Sequence, residues 1–256
     1  MWFLVFSFFT FSGTDTDLAT FKKVSFGVQE VYEAILDKDG RVDYVELHER
    51  KDLQEKLTAY QSFIAKLDPT SIADDKLRIS IYANAYNVLT LIGVNRAYPV
   101  TSVRKIRRFF GFFTKAEWTV GGESFSLNDI EKKLLRPLDS RIHFIINCAS
   151  ASCPKLPMTV MTASNVETLM DNAAREFILD ESKNSFESSG VWELSKIFDW
   201  YADDWGGKKS MIEFILKYHA NLKKPQKIEY LEYDWTLNDQ KQSMHNANDA
   251  KNKKFN

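Results

Sequence analysis

The segment that decides how this chain is interpreted runs from Arg141 to Pro154 and reads RIHFIINCASASCP. It contains both cysteines of the protein, Cys148 and Cys153, and one of its four histidines, His143. The apolar run that follows His143 is typical of a buried strand, and the small residues between the cysteines are typical of a loop. A thiol and an imidazole at the end of a buried strand indicate a nucleophilic thiol site. The same residues are also those of a small disulfide loop.

Helices and short strands alternate on both sides of this segment. Apolar residues recur at helical spacing in several stretches, and glycine pairs or capping residues mark their ends. The pattern predicts helices over 24–36, 52–67, 74–95, 126–135, 164–179, 195–201 and 211–222, a hairpin over 118–125 that turns at Gly121-Gly122, and strands over 141–148, 191–194 and 227–233. This interleaving predicts an α+β fold, a single domain with a small, mainly antiparallel sheet packed by helices.

Composition argues against some classes of binding partner and indicates where the domain begins and ends. The formal net charge of the 256-residue chain is -1, which argues against a nucleic-acid-binding protein. Residues 1–20 are predicted to be a signal peptide or an apolar N-terminal segment, too short for a transmembrane span. The domain is predicted to cover 24–238, and the polar tail 239–256 to be disordered. We therefore expect an exported protein, periplasmic, in the cell envelope or secreted, in which two cysteines can pair.

Several ordered motifs resemble the "domain of unknown function 547" (DUF547) family. They are Gly40–Tyr44, Asn84-Ala85-Tyr86-Asn87, Ser126–Glu131, Arg141–Phe144, Asn147–Pro154 and Tyr230–Asn238. Together they span almost all of the predicted domain. The resemblance implies which positions are family motifs, namely Asn84, Asn87, Glu131, His143, Cys148 and Cys153, and it implies no particular reaction.

The enzyme hypothesis is a thiol hydrolase or transferase, papain-like or transglutaminase-like, that acts on amide or peptide bonds. His143 would stabilise a thiolate and Glu131 would orient the imidazole. In a regular strand Cys148 faces away from His143, whereas Cys153 lies in a loop that can fold back. The catalytic residues are therefore predicted to be Cys153, His143 and Glu131.

Substrate-binding residues are predicted to be Asn84, Asn87, Asn147 and Cys148, and the substrate to be a peptide, a protein or a small amide. Two asparagines on one buried helix need hydrogen-bond partners. They either hold a neighbouring loop or polarise a substrate carbonyl, a task that the amides of the small-residue loop could share.

Three other interpretations of the cysteines remain open. A Cys148–Cys153 disulfide would leave a non-catalytic binding or scaffold module. A redox site is a second alternative, although the spacing is not that of C-x-x-C proteins. A zinc site from His143 and both thiols would lack the paired short spacings of structural zinc sites. No metal and no cofactor are expected.

Overall fold

Helices make up most of the structure, a computed structural model that describes residues 13–68, 71–107, 110–186 and 190–241. Within these ranges the α-helices are α1 (Gly13–Ile35), α2 (Tyr44–Glu49), α3 (Lys51–Lys66), α4 (Asp75–Ala97), α5 (Gly111–Thr114), α6 (Leu127–Asp129), α7 (Val166–Leu179), α8 (Ile197–Trp200) and α9 (Lys208–Tyr218). Of the predicted signal segment 1–20, residues 1–12 lie outside these ranges, whereas residues 13–20 belong to α1. Of the predicted tail 239–256, residues 242–256 lie outside them, whereas residues 239–241 are described and Asp239 is buried. None of the described helices is both long and apolar enough to cross a membrane.

The strands form two small sheets. Their bounds are β1 (Trp118–Val120), β2 (Glu123–Phe125), β3 (Ser185–Phe186), β4 (Val191–Leu194) and β5 (Lys227–Tyr230). β1 and β2 form the predicted hairpin, in which both turn glycines have positive φ. In the second sheet β4 pairs antiparallel with β3 and parallel with β5, with Trp192 opposite Ile228. The α+β prediction with small, mainly antiparallel sheets is therefore confirmed.

Two hydrophobic clusters form the core, and the cysteine segment passes between them. The larger cluster is built around α1, α3 and α4, the last of which is buried along nearly its whole length. The smaller cluster joins α7, α8, α9 and β4. Phe144 belongs to the smaller cluster, whereas Ile145 and Ile146 belong to the larger one. The loop that carries both thiols therefore begins at the junction of the two clusters.

The predicted strand over 141–148 is wrong. Ser140–Phe144 is a 3-10 helix, started by Asp139, whose carboxylate accepts the Arg141 amide at 2.7 Å. Residues 142–146 are all buried. A continuous apolar run of this length gives no periodicity by which to tell a strand from a buried helical turn. The alternation argument that placed Cys148 on the far side from His143 does not apply to this backbone.

Local signals elsewhere had mixed outcomes. The capping box of Ser126 and Asp129 is present, but the helix it opens continues as a π-helix, Ile130–Leu135, in which the Arg136 amide donates to the Glu131 carbonyl. The capping box predicted for Ser164 and Glu167 is wrong. The N-cap of α7 is Asn165, whose side-chain oxygen accepts the amide of Thr162 instead.

Candidate functional site

The loop after the 3-10 helix is held in one conformation by asparagine side chains. Asn147 Oδ1 accepts the Ala149 amide at 2.7 Å, and its Nδ2 donates to the Pro154 carbonyl at 2.7 Å. Asn87 Oδ1 accepts the Asn147 amide at 2.8 Å. These contacts keep Ala149 at a φ of 58°, a left-handed conformation that is uncommon for residues other than glycine. Such strained residues persist where the surroundings determine them, often at functional sites.

The two asparagines of α4 act on the backbone. Asn87 Nδ2 donates to the Ile145 carbonyl at 2.9 Å, and Asn84 pairs with the Met161 amide and carbonyl at 3.1 and 2.8 Å. Both side chains are buried, and neither lines the pocket described below. The contacts fit the first interpretation, in which the amides hold neighbouring loops.

Both cysteines are free thiols in this structure, so the alternative disulfide is absent. The sulfur of Cys148 lies 3.0 Å from Ser150 Oγ and 3.2 Å from the hydroxyl of Tyr233. Ser150 Oγ in turn donates to the Tyr233 hydroxyl at 3.0 Å. Because that serine proton is used, the Tyr233 hydroxyl is free to donate to the sulfur. The sulfur of Cys153 instead accepts the Cys148 amide at 2.9 Å.

The two thiols differ in acidity. Burial raises the pKa of Cys148, but the contacts with the Cys153 and Ser150 side chains, the hydrogen bond from Tyr233 and the Ser150 backbone amide outweigh it and bring the pKa down to about 7. Burial, followed by the neighbouring Cys148 thiolate, raises the pKa of Cys153 well above its ordinary value. Cys148 is therefore the more readily ionised of the two thiols.

Cys148 opens onto a cavity of about 330 Å³ that we call the aromatic pocket. The cavity also contains Glu131, His143 and Cys153, so the three predicted catalytic residues share its lining with Cys148. Its aromatic side chains are Tyr86, Phe110, Phe113, Trp200, Tyr201, Tyr233 and Trp235. A mostly apolar cavity with few polar groups is the usual form of a small-molecule or side-chain site.

His143 lies between two carboxylates. Its Nε2 is 2.7 Å from Asp204 Oδ2, and its Nδ1 is 3.9 Å from Glu131 Oε1. Its ring stacks on Tyr201 with the ring centres 3.9 Å apart. Among the hydrogen bonds of the described residues, none joins this imidazole to either sulfur. The predicted pairing of His143 with Cys153 is therefore not formed as a direct contact.

Asp204 fixes the orientation of the imidazole. Arg136 holds its carboxylate with two hydrogen bonds, of 2.7 and 2.6 Å. Burial opposes ionisation of Asp204, but the bonds from His143 and Arg136 keep its pKa below the ordinary value. An ionised carboxylate can only accept hydrogen bonds. His143 Nε2 therefore carries a hydrogen and donates a hydrogen bond to Asp204. The sequence motifs gave no sign of Asp204, whereas Tyr233 lies in the quoted motif Tyr230–Asn238.

A second and larger cavity, of about 1140 Å³, lies on the other side of Cys153 and Pro154. We call it the polar cleft. It contains Asn147 and both signs of charge, including Arg41, Lys183 and Asp234. Among the described residues, no three His, Cys, Asp or Glu side chains are grouped to hold a metal ion.

Comparison with known proteins supports the family and adds no activity. Residues 70–178 match the profile of the family described as "Protein of unknown function, DUF547". The search of curated proteins and the search of solved structures each found no match. The match supports the DUF547 assignment that the motifs predicted, and the matched range includes Asn84, Glu131, His143 and both cysteines.

Proposed function

We propose that this protein is a thiol-dependent hydrolase or transferase that acts on amide or peptide bonds, with Cys148 as its nucleophile. The observation that carries the proposal is the position of the Cys148 sulfur, at the aromatic pocket and within hydrogen-bond reach of the Ser150 and Tyr233 hydroxyls. With a pKa of about 7, about half of this thiol is thiolate at neutral pH without a dedicated base.

The proposed nucleophile is Cys148 and not Cys153, for a physical reason. Cys153 is 8% exposed, and its sulfur already accepts a backbone amide. Its raised pKa keeps it protonated near neutral pH. We assign Cys153 a positioning role, because it lies against Cys148 and is one of the groups that lower the pKa of that thiol.

The proposed reaction is acyl transfer. The Cys148 thiolate attacks the carbonyl carbon of the substrate, the carbon–nitrogen bond breaks, and the leaving amine takes up one proton. Water or a second amine then attacks the thioester and releases the sulfur. His143 lies in the same pocket, and we assign it the exchange of protons with the leaving and attacking groups.

The charge that develops on the carbonyl oxygen needs donors, and most amides of the loop are already used within the protein. The amides of Cys148, Ala149, Ala151, Ser152 and Cys153 all donate within the protein. Hydroxyl groups near the sulfur are the remaining candidates. That of Ser150 lies 3.0 Å from it, and that of Tyr233, which lines the pocket, lies 3.2 Å from it.

Alkylation followed by peptide mass spectrometry tests the proposal. We expect iodoacetamide at neutral pH to label Cys148 first. Cys148→Ser should abolish the release of amines from a library of peptide amides, while Cys153→Ser keeps a measurable part of it. Faster labelling of Cys153 would contradict the assignment. A native thiol count of zero, restored by reductant, would instead favour the binding module with a disulfide.

A further inference from the structure

Glu131 is a buried carboxylate with an oxygen that lacks a hydrogen-bond partner. Its side chain is 5% exposed, and Oε1 has no donor within hydrogen-bond distance. The nearest basic group is His143 Nδ1, at 3.9 Å, which is beyond hydrogen-bond range. Arg136, one turn further on, engages Asp204 with its guanidinium. The Tyr201 hydroxyl also interacts with this carboxylate, but Oε1 itself is left without a donor. A buried carboxylate oxygen is costly unless it is paired, so Oε1 is available to a donor from a ligand.

The aromatic side chains that line the same pocket as Glu131 are suited to a positive charge. The rings of Tyr233 and Trp235 lie 4.5 Å apart, and those of Tyr233 and Trp200 lie 4.8 Å apart. Trp200 is 45% exposed, so this aromatic group is open to solvent. Aromatic faces carry negative potential and attract cations within about 6 Å of the ring centre. A pocket with such walls and a buried carboxylate favours a cationic ligand over a neutral apolar one.

We infer that the aromatic pocket binds a primary ammonium group of the substrate, such as that of a lysine side chain or an amino terminus. The ammonium donates to Glu131 Oε1, and its aliphatic stem lies against the aromatic walls. A single unpaired acceptor atom matches an ammonium group, whose charge is compact and whose N–H donors rotate. It matches a guanidinium less well, because that group is planar and donates two parallel hydrogen bonds. The cavity of about 330 Å³ has room for a group of this size.

The binding site adjoins Cys148. Interpreting the bound ammonium as part of a substrate therefore rests on the proposed function. Binding itself needs no reactive thiol. It can therefore be measured in a Cys148→Ser background, where failure to bind is distinct from failure to react.

The test compares three small probes in the Cys148→Ser protein, with binding followed by tryptophan fluorescence. n-Butylammonium has a charge and N–H donors, n-butanol has a donor without charge, and butyltrimethylammonium has a charge without donors. We expect n-butylammonium to bind at least about tenfold more tightly than either of the others, since a charge-assisted hydrogen bond is worth more than a tenfold factor. Glu131→Gln should remove this preference. Glu123→Gln, the same change at an exposed position of β2, should keep it.

Equal affinity for n-butanol, or an unchanged preference in Glu131→Gln, would overturn the inference. Equal affinity for butyltrimethylammonium would overturn the assignment of a primary ammonium. If n-butylammonium binds as expected while the wild-type thiol shows no acyl transfer, the proposed function fails and the binding site stands.

Discussion

Tyr233 is one of the groups that lower the pKa of Cys148, and Tyr233→Phe perturbs the site while keeping the ring. The change removes one hydroxyl, which lies 3.2 Å from the sulfur and accepts from Ser150 at 3.0 Å. The ring is kept, so its contacts with Trp200 and Trp235 are kept as well. Loss of a donor to the thiolate raises the pKa of Cys148, because the protonated form loses less than the ionised form does.

The size of the effect follows from the hydrogen bond. A bond to a charged group contributes about 1.5–3 kcal/mol, and 1.4 kcal/mol is a factor of about ten in the ionisation constant. Tyr233 is half-buried, so the lower end of the range applies. From a starting pKa of about 7, the thiolate fraction at pH 7 falls from about one half to about one tenth. Alkylation at pH 7 should slow by about fivefold, while the rate at high pH stays close to that of the wild type.

The assay is the rate of iodoacetamide labelling of Cys148 between pH 5 and 10, read by peptide mass spectrometry so that Cys153 is counted separately. The midpoint of the profile should move to higher pH. Tyr230→Phe is the matched control, because Tyr230 lies on β5 and has no hydrogen bond to the sulfur among the described contacts. An unchanged midpoint in Tyr233→Phe, or an equal shift in both variants, would refute the reasoning.

The remaining predictions concern stability and are measured by urea unfolding. Gly93→Ala should destabilise the fold by about 1–3 kcal/mol, because its new Cβ would lie 2.8 Å from a ring carbon of Phe112. Gly27→Ala, where the nearest atom is 3.6 Å away, should instead stabilise by about 0.5–1 kcal/mol. Asp204→Asn should cost about 1–2 kcal/mol at neutral pH. Because the folded pKa of Asp204 is lowered, that difference should shrink as the pH falls below about 4. Asn147→Ala leaves two buried backbone groups unpaired and should cost at least about 2 kcal/mol.

The elements with strong local signals could be predicted from the sequence. Asp74 caps α4 through the amides of Lys76 and Leu77, as its position before a long apolar face indicates. The Gly121-Gly122 turn fixes the hairpin, and Val191–Leu194 is the predicted strand. Each of these depends on residues within one or two turns of one another. Such signals do not depend on the rest of the fold, so they can be recognised in the sequence alone.

The cysteine segment could not be predicted in the same way. Its buried run takes its conformation from the two clusters it separates, which are formed by residues far away in the chain. The candidate site has the same dependence. Asp204 and Tyr233 follow His143 and Cys148 by 61 and 85 positions. Their contacts depend on tertiary packing, and no short sequence motif indicates such contacts. The prediction of Cys153 as the nucleophile depended on a strand that does not form.

The motif Tyr230–Asn238 explains how a strained loop can hold a reactive thiol in place. Its backbone accepts the amides of Ala151 and Ser152 through the carbonyls of Thr236 and Asp234, and the Asn238 amide donates to the Ala149 carbonyl. The same motif supplies the Tyr233 hydroxyl that contacts the sulfur. Because one segment both clamps the loop and supplies a donor to the thiolate, any movement of the segment changes the position and the acidity of Cys148 together. In the proposed acyl transfer, a nucleophile held in this way would need little reorganisation before attack.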